Sequence, residues 1–490
     1  MKKNTYILFF LLLFSSLAFS QENELEPDKI YKKRVLENVE VDFLTSFYRQ
    51  DGDNASVTGG IGTEELTDIP ASITLSIPLN DDDILVIDAG ISAYSSASSS
   101  NLDPFDNSGA SRGGDDDDDD DDYDHGGGTG VTTGSPWVAS SGESKKDVWA
   151  NVNASYSHSS DDRNKVWNAN ISFAAEYDYI SFGFGGGFTR LFNQKNTEIG
   201  IKGSVFLDNW KPVYPTEIDS YFEANKNTNN GFFSGIDILN KDGDITNKNS
   251  SDTWNPSSTG LINDTKRNNY TLSLSFSQIL SSRAQISVFA DLVSQQGWLA
   301  NPMQRVYFND KANYYIGEAA SIPNYTNRSN TGVFHLADDI ERLPDSRLKI
   351  PVGARLNYYM NEYAVLRSYY RYYSDDWGVV SNTYEFELPL KLIDKWTFTP
   401  SYRYYDQTEA DYFAPYNEHL STNEFYTSDY DLSAFNASQY GLSVRYTDIF
   451  LKKKLWRFGL KSAELKYSSY ERNTGLKSGI ATLGFKFVME

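Results

Sequence analysis

Short segments of alternating polarity recur along most of the chain, and this pattern restricts the fold more than any other feature. In "YTLSLSF", residues 270–276, and "YEFELPL", residues 384–390, apolar side chains occupy every second position. A period of two with one apolar face is typical of a half-buried β-strand. About sixteen such segments occur. They lie near residues 39–48, 69–79, 84–94, 147–158, 165–177, 179–190, 198–208, 269–280, 284–294, 347–360, 363–373, 383–393, 395–405, 438–447, 458–470 and 478–489.

The connections between these segments alternate in length. Every second connection is short, such as "SSR" at 281–283 and "DK" at 394–395, and among these only "DIFLKKKLWR" at 448–457 is long. Short turns at one end and long loops at the other are typical of bacterial outer-membrane barrels. The sequence therefore predicts an all-β fold, a transmembrane antiparallel up-and-down β-barrel of about 16 strands with long extracellular loops. The long connections are expected at 49–68, 95–146, 209–268, 295–346 and 406–437.

The aromatic content separates this barrel from a soluble β-sandwich, the main structural alternative. Phe, Trp and Tyr make up 15% of the residues, although the mean hydropathy is only −0.51. Many of these aromatic residues stand at the ends of predicted strands, for example Trp167, Trp396 and the pair Tyr372 and Tyr373. Membrane barrels carry such girdles at both lipid–water interfaces. A sandwich buries its apolar faces against each other and does not need them.

The first twenty residues resemble an export signal. Lys2 and Lys3 precede the apolar run "YILFFLLLF" at 6–14, and "AFS" at 18–20 supplies small residues for cleavage. The run is too short for a membrane-spanning helix, which is the rival interpretation. We therefore expect a cleaved signal peptide at 1–20, a periplasmic segment at 21–38 and the outer-membrane barrel at 39–490.

Charge and cysteine content exclude several functions. The net charge of −23 argues against binding to nucleic acid, which requires a basic face. The chain has no cysteine, which removes disulfides, thiolate metal sites, cysteine nucleophiles and a lipid anchor on an N-terminal cysteine.

The alternation also predicts which charged side chains point into the barrel. Acidic residues fall on the inward positions of early strands, and basic residues fall on those of later strands. We expect an acidic wall of Glu40, Asp42, Asp88, Glu176 and Asp291 and a basic wall of Lys349, Arg355, Arg367, Arg371, Arg403 and Arg445. Two walls of opposite sign orient hydrated polar solutes in a pore. The alternative is a structural network, in which Glu385 and Glu387 neutralise neighbouring arginines as cross-strand pairs.

The sixth predicted strand is rich in glycine. In "FGFGGGF", residues 182–188, Gly183, Gly185 and Gly187 point inward. Glycine in a strand usually marks the close approach of another backbone. We expect a loop to pack against this wall and constrict the pore; a sharply bent wall without a plug is the alternative.

Two acidic loop segments are candidates for divalent cations. An aspartate run flanked by glycines offers hard oxygen ligands, and a nearby histidine offers a nitrogen, although an unbroken run favours a solvated fringe with diffuse cation binding. "DGDNAS" at 51–56 is a sharper calcium candidate, but it lacks a downstream glutamate at the required spacing. The candidate ligands are Asp51, Asp53, Asn54, Asp115, Asp116, Asp117, Asp118, Asp119, Asp120, Asp121, Asp122, Asp124 and His125, for Ca²⁺ or another divalent cation.

We expect no enzyme activity and no catalytic residues. "HSS" at 158–160 resembles the histidine–serine pair of outer-membrane phospholipases, but it falls at the periplasmic end of its strand, in the wrong leaflet. His335 and His419 lie in acid-rich loops without spacing that supports a site. The aromatic segments at 297–308 and 409–435 are candidate contact surfaces, with packing inside a folded loop as the alternative.

Several stretches resemble a known family. These are "YKKRVLENVEVDFLTSFYRQDGDNASVTGGIGTEELTD", "DAGISAYSSASSSNLDPF", "SASSSNLDPFDNSGAS", "YSHSSDDRN" and "QGWLANPMQRVYF". The chain resembles an uncharacterised family of Bacteroidetes exported proteins, domain-of-unknown-function family 3570, over nearly all of the mature sequence. The resemblance implies an outer-membrane β-barrel and carries no activity or catalytic residues.

These observations favour a porin-like channel for small polar solutes or cations, without a certain cofactor. The rival function is a plugged barrel that serves as a surface scaffold, receptor or accessory subunit of an exported complex. The expected partners are outer-membrane lipid and lipopolysaccharide, the barrel-insertion machinery during biogenesis, and an unidentified protein; nucleic acid is not expected.

Overall fold

The protein is described by a computed structural model that covers residues 34–96, 147–176, 178–256, 260–262, 265–326, 332–448 and 450–489. Its main element is one antiparallel sheet that closes on itself, because the first strand, Glu40–Asp51, pairs with the last, Lys477–Met489, over its whole length. The eighteen segments of this sheet make sixteen strands, since one strand is interrupted and one segment is a two-residue extension.

The strands are numbered β1 to β16 in chain order. They are β1 Glu40–Asp51, β2 Leu66–Pro78, β3 Asp83–Ser96, β4 Asp147–Ser159, β5 Lys165–Ala175, β6 Tyr179–Phe192, β7 Thr197–Trp210, β8 Lys266–Ser281, β9 Ala284–Gly297, β10 Ser346–Asn361, β11 Ala364–Asp375, β12 Val380–Glu387 with Leu390–Ile393, β13 Trp396–Gln407, β14 Phe435–Thr447, β15 Phe458–Arg472 and β16 Lys477–Met489. Each pairs with its neighbours in sequence. The predicted fold is confirmed, and every predicted segment overlaps one strand.

Strand pairing is irregular at several places in the sheet, including β12 and β15. The interruption in β12 falls at Leu388 and Pro389, where proline has no N–H to donate to the ladder. The register of β15 against β16 shifts between Leu460 and Ser462. The extra residue interrupts the alternation of side chains along this strand.

Side chains on the outer face are apolar and exposed. Ile171, Phe182 and Phe184 are 58, 47 and 44% exposed, and alternating positions on the other strands behave alike. An apolar surface that encircles the sheet is unfavourable in water, and a lipid environment removes this cost. Aromatic pairs border the belt, including Trp396 with Tyr446 at 5.2 Å between ring centroids. The exterior is that of a transmembrane barrel.

The two ends of the barrel differ. The end that carries connections 79–82, 160–164, 193–196, 282–283, 362–363, 394–395 and 448–457 is called the short-turn end. The opposite, long-loop end carries 52–65, 211–265, 298–345 and 408–434, among others. The prediction of unequal ends is therefore borne out by the described connections. Among the described residues, no α-helix is long and apolar enough to cross a membrane.

The long loops fold together into a structure that we call the cap, made of the described residues of 52–65, 211–265, 298–345 and 408–434. It contains the helix Thr216–Glu223 (α1), which begins after Pro215 and carries Glu217 and Asp219 in its first turn, where acidic side chains favour the helix dipole. It also contains a small sheet of Leu239–Asn240, Tyr314–Gly317 and Val333–His335. Its apolar core includes Ile218, Tyr221, Phe233, Ile238, Trp254, Tyr307, Leu336, Ala337 and Ile340.

Candidate functional site

The basic wall of the lumen is formed by β10 to β14. Lys349 is 7% exposed, whereas its neighbours Leu348 and Ile350 are 39 and 42% exposed, so Lys349 points to the inner face. The same alternation places Arg355 of β10, Arg367 and Arg371 of β11, Arg403 of β13 and Arg445 of β14 inward.

Carboxylates on neighbouring strands face several of these cations. Arg367 lies opposite Glu387 in the β11–β12 register, at 3.6 Å between Nη1 and Oε2. Glu385 lies opposite Arg403 across β12 and β13. Arg445 donates to Oε2 of Glu464 on β15 at 2.7 Å. The pairs at Glu387 and Glu385 are those of the structural-network alternative.

Lysines of β15 and β16 likewise face the acidic wall. Glu40 accepts from Lys486 at 2.8 Å and from Lys461 at 3.2 Å, and Asp42 lies 3.7 Å from Lys486. Asp88 is 2% exposed and accepts a hydrogen bond from Thr74 at 2.5 Å. Asp291 of β9 lies on the inner face beside Leu292, which is 45% exposed.

Glu176 lies in the tight connection between β5 and β6 at the long-loop end. It is 8% exposed, and burial together with the charge of Asp178 raises the pKa of Glu176 to about 9. A carboxyl group with this pKa is protonated at neutral pH, because burial disfavours the charged form. Glu176 thus adds no negative charge to the acidic wall at pH 7.

Exposure of the inner wall changes along the barrel axis. Towards the short-turn end, the side chains of Arg367, Lys461 and Asp42 are 25, 30 and 32% exposed. Towards the long-loop end, Arg371 and Thr383 are 4 and 1% exposed. Among the described residues, these charged side chains of the inner wall are therefore more accessible to water near the short-turn end than the inner wall is near the long-loop end.

Cap residues cover part of the inner wall near the long-loop end. Ala410 and Leu432 of the cap pack with the inward-facing rings of Tyr373, Tyr405 and Phe435. Gln407 at the end of β13 donates to the carbonyl oxygens of Asp431 and Ser433. Arg472 at the end of β15 donates to Asp431 at 2.5 Å. Cap and wall are thus joined by both apolar packing and hydrogen bonds.

A buried ion pair holds the cap loops to one another. Arg305 donates to both carboxylate oxygens of Glu217 in α1 at 2.7 and 3.0 Å, and it also donates to the carbonyl oxygen of Val57 at 2.6 Å. These contacts connect three separate loops. The side chains of Arg305 and Glu217 are only 12 and 3% exposed, so each requires the other to offset the cost of desolvation.

Two further carboxyl groups of the cap are buried and, among the described residues, have no cation at hydrogen-bonding distance. Glu341 accepts from the backbone N–H of Asn301 at 2.6 Å and from the hydroxyl of Thr427, and Asp338 accepts from the N–H of Phe308 at 2.8 Å. Burial, as the largest cause, raises the pKa of Glu341 to about 8 and that of Asp338 to about 7. The cap therefore favours protonated forms of these groups.

Both histidines of the acid-rich loops are buried within the cap. His335 stacks between Tyr307 and Tyr315, at 4.1 and 4.6 Å between ring centroids, and its Nδ1 lies 2.6 Å from the hydroxyl of Tyr416. Burial lowers the pKa of His335 to about 3. His419 donates from Nε2 to the carbonyl oxygen of Thr427 at 2.8 Å. Both rings have structural contacts and belong to the cap interior.

The aromatic loop segments pack inside the cap, as the alternative interpretation predicted. Phe308 and Tyr426, from the two segments, are 0 and 5% exposed and stand edge to face at 5.1 Å. Backbone bridges connect the same loops at Phe308 with His419 and at Arg342 with Tyr426.

The inward glycines of β6 make room for side chains of the flanking strands. A Cβ on Gly183 would lie 2.6 Å from the Phe206 ring of β7, and a Cβ on Gly185 would lie 2.8 Å from the amide oxygen of Asn170 on β5. Among the described residues, the nearest atoms belong to these strands. Packing of a loop against this wall stays a prediction.

The structure describes three of the candidate cation ligands, at the long-loop end of β1 and in the connection that follows it. Asp51 ends β1, Asp53 is exposed, and Asn54 donates to the carbonyl oxygen of Thr474 at 2.7 Å. Within the part of the chain that the structure describes, no three acidic or histidine side chains gather in a metal-binding arrangement. Asp115 to Asp122, Asp124 and His125 lie outside the described residues. Cation binding at these loops stays a prediction.

His158 and Ser160 have different partners. His158 Nδ1 lies 2.6 Å from Asp83, and the hydroxyl of Ser160 donates to Asp162 at 2.5 Å. This places His158 at the short-turn end of β4, with its imidazole engaged by a carboxylate on β3.

Comparison with known proteins identifies the family. A family model described as "Protein of unknown function (DUF3570)" matches residues 12–479. The chain belongs to this family. No curated protein matches the chain.

Several solved structures show a distant likeness. A bacterial polysaccharide outer membrane secretin has a TM-score of 0.39 and 9% identity, covering 91% of this chain and 98% of its own. The monoaromatic hydrocarbon channel TodX, as a deletion mutant, has a TM-score of 0.37 and 8% identity, with 93% and 91% covered. The outer membrane protein OpdK from Pseudomonas aeruginosa has a TM-score of 0.34 and 8% identity, with 92% and 99% covered.

Proposed function

We propose that the protein is an outer-membrane channel for small polar solutes or cations, whose access from the long-loop end is controlled by the cap. The observation that carries this proposal is the partial exposure of charged inner-wall side chains, such as Arg367 and Asp42, in the half of the lumen near the short-turn end. A water-filled space lined with charges of both signs accepts hydrated polar solutes. The proposal also includes an outer-membrane location, a cleaved signal peptide and a Bacteroidetes source.

The transport mechanism is diffusive and requires no catalytic group. A solute entering the lumen meets basic side chains on β10 to β14 and acidic ones on β1 and β3, so its dipole or charge is oriented across the pore. The acidic loops would raise the local concentration of cations near the mouth, and salt would weaken this effect. Ca²⁺ or another divalent cation at these loops remains part of the proposal.

A plugged barrel that acts as a surface scaffold or receptor is the second candidate. The specific observation in its favour is the apolar core of the cap, with Trp254 and Phe233 almost completely buried. A core of this kind is typical of a stable folded unit rather than of flexible pore loops. An exported protein would be the expected partner in that case.

Single-channel recording in planar bilayers distinguishes the two. The channel proposal predicts measurable conductance for the purified full chain, and a larger conductance for the Trp254→Ala variant, because loss of the central indole loosens the cap. A lipid-facing variant, Phe184→Ala, is the matched control and should conduct like the unmodified protein. Silence of both the unmodified protein and Trp254→Ala would favour the scaffold.

A further inference from the structure

The connection between β14 and β15 forms a hairpin at the short-turn end, residues 450–457, which we call the basic hairpin. Lys454 pairs with Gly459 and Leu455 pairs with Phe458, so that Trp456 and Arg457 form the two-residue tip. This is the only connection at this end, among those that the structure describes, that is long enough to extend beyond a tight turn.

Its apolar side chains are exposed to an unusual degree. Trp456, Phe450 and Leu455 are 86, 75 and 68% exposed. The backbone of Trp456 has a positive φ of 60°, which bulky residues rarely adopt. A glycine or asparagine would fit this turn position with less strain. The exposure of the Trp456 ring is therefore better explained by a contact outside the chain.

The same segment is strongly basic. Residues 450–457 contain Lys452, Lys453, Lys454 and Arg457 and no acidic residue, in a chain whose net charge is −23, and the nearest acid in the sequence is Asp448. Asp448 already bonds to Lys395 at 2.8 Å. Side chains from Lys452 to Arg457 are all exposed. The hairpin thus presents a concentrated positive charge.

The basic hairpin lies next to the membrane-facing surface of the barrel. Tyr446 points outward from β14, where its ring packs on the exposed Trp396 of the aromatic girdle. Lys453 Nζ lies 4.9 Å from the centroid of the Tyr446 ring. The lysines therefore begin at the edge of the lipid-facing belt, where cationic side chains meet lipid headgroups.

We propose that the basic hairpin binds the phosphate-bearing headgroup of an anionic phospholipid in the leaflet at the short-turn end. Lys452, Lys453, Lys454 and Arg457 would contact the phosphate, and Phe450, Leu455 and Trp456 would enter the boundary between headgroup and acyl chains. The continuity with the aromatic girdle favours a lipid over an acidic protein. The proposal rests on the transmembrane placement of the barrel and is independent of whether the lumen conducts.

Native mass spectrometry of the full chain in detergent tests this proposal. The protein is titrated with phosphatidylglycerol and, separately, with phosphatidylcholine, and the occupancy of each lipid is measured. The unmodified protein should bind phosphatidylglycerol more tightly. The variant K452Q/K453Q/K454Q should lose affinity for phosphatidylglycerol by on the order of 100-fold, since each lysine near a membrane surface contributes about fivefold. The variant K226Q/K241Q/K311Q changes the net charge equally within the cap and should bind like the unmodified protein.

A second variant tests the apolar part of the site. Trp456→Gly relieves the strained backbone, so the barrel should remain folded while phosphatidylglycerol affinity falls roughly threefold to tenfold. Free inorganic phosphate should not displace the lipid, because it lacks the acyl chains. Equal binding of the two lipids by the unmodified protein, or equal loss in both triple variants, would overturn the proposal. Full affinity in Trp456→Gly would do so as well, because a purely ionic contact would then suffice.

Discussion

The barrel wall and the cap place their apolar side chains in opposite directions. The wall turns Phe182 and Ile171 outward to lipid and leaves polar groups inside, whereas the cap buries Trp254 and Phe233 at its centre as a water-soluble domain does. The wall is therefore stabilised by strand pairing and lipid, and the cap by its own core. Changes in the cap interior should affect the cap while leaving the barrel closed.

The largest expected effect is loss of the cap core. Trp254→Ala removes a 1% exposed ring that packs at 5.1 Å on Phe233 and donates to the carbonyl oxygen of Ala337 at 2.9 Å. Truncation of a buried tryptophan costs about 3–5 kcal/mol. Limited proteolysis should cut the cap loops much faster, while the heat-modifiable gel shift of the barrel is retained. Simultaneous loss of the barrel band would show that wall and cap are one cooperative unit.

Breaking the buried ion pair between Arg305 and Glu217 should have the second largest effect on the stability of the cap. Arg305→Met leaves Glu217 buried without its guanidinium partner and should destabilise the cap by about 3 kcal/mol. The double variant Arg305→Met with Glu217→Leu should recover most of this loss, because it removes both desolvated charges. The rate of protease cleavage in the cap is again the measurement. If the double variant is cleaved as fast as Arg305→Met alone, the role of this ion pair is contradicted.

The cap should also weaken as pH rises. The folded-state pKa values of Glu341 and Asp338, about 8 and 7, lie above their ordinary values. Such groups bind more protons in the folded state, so their stabilising contribution is lost as pH rises through these values. Between pH 6.5 and 8 the cap should lose on the order of 2 kcal/mol, measured as the rate of cleavage by a protease corrected for its own pH profile.

Glu341→Gln is the control for this pH effect. It keeps the hydrogen-bond acceptor for Asn301 without a titratable group, so it should flatten most of the dependence. His335 acts in the opposite direction at lower pH, because its folded pKa of about 3 makes protonation below pH 6.5 unfavourable. An unchanged pH profile in Glu341→Gln would show that another group controls the cap.

The smallest effect is expected in the water-accessible half of the lumen. Glu387→Gln removes the carboxylate that faces Arg367 at 3.6 Å, where both side chains are about a quarter exposed. A solvated pair contributes less than about 1 kcal/mol to stability, so the fold should not change. Ion selectivity should shift towards anions because one negative charge is removed from the lumen, measured as a reversal potential across a salt gradient. Arg367→Gln, on the other side of the same pair, should shift it in the other direction.

The wall was predictable from the sequence and the cap was not. The alternation in segments such as 270–276 is a local property, so strand positions, the outward phenylalanines and the inward arginines follow from the period of two. Contacts in the cap join Arg305 to Glu217 and His335 to Tyr416 across 88 and 81 positions, and no periodic pattern marks them. The glycines of β6 lie next to side chains on adjacent strands, and the alternation does not mark these contacts either.

Cysteine accessibility tests the contrast between the two halves of the lumen most directly, because the chain contains no cysteine of its own. Thr399→Cys and Thr383→Cys place matched reporters on the inner faces of β13 and β12, where Thr399 is partly exposed and Thr383 is 1% exposed. A small hydrophilic thiol reagent should label Cys at position 399 rapidly and Cys at position 383 slowly, and adding Trp254→Ala should accelerate labelling at 383 alone. If Cys at positions 399 and 383 is labelled at the same rate while Trp254 is in place, the lumen is not open at one end and closed at the other, and the account is contradicted.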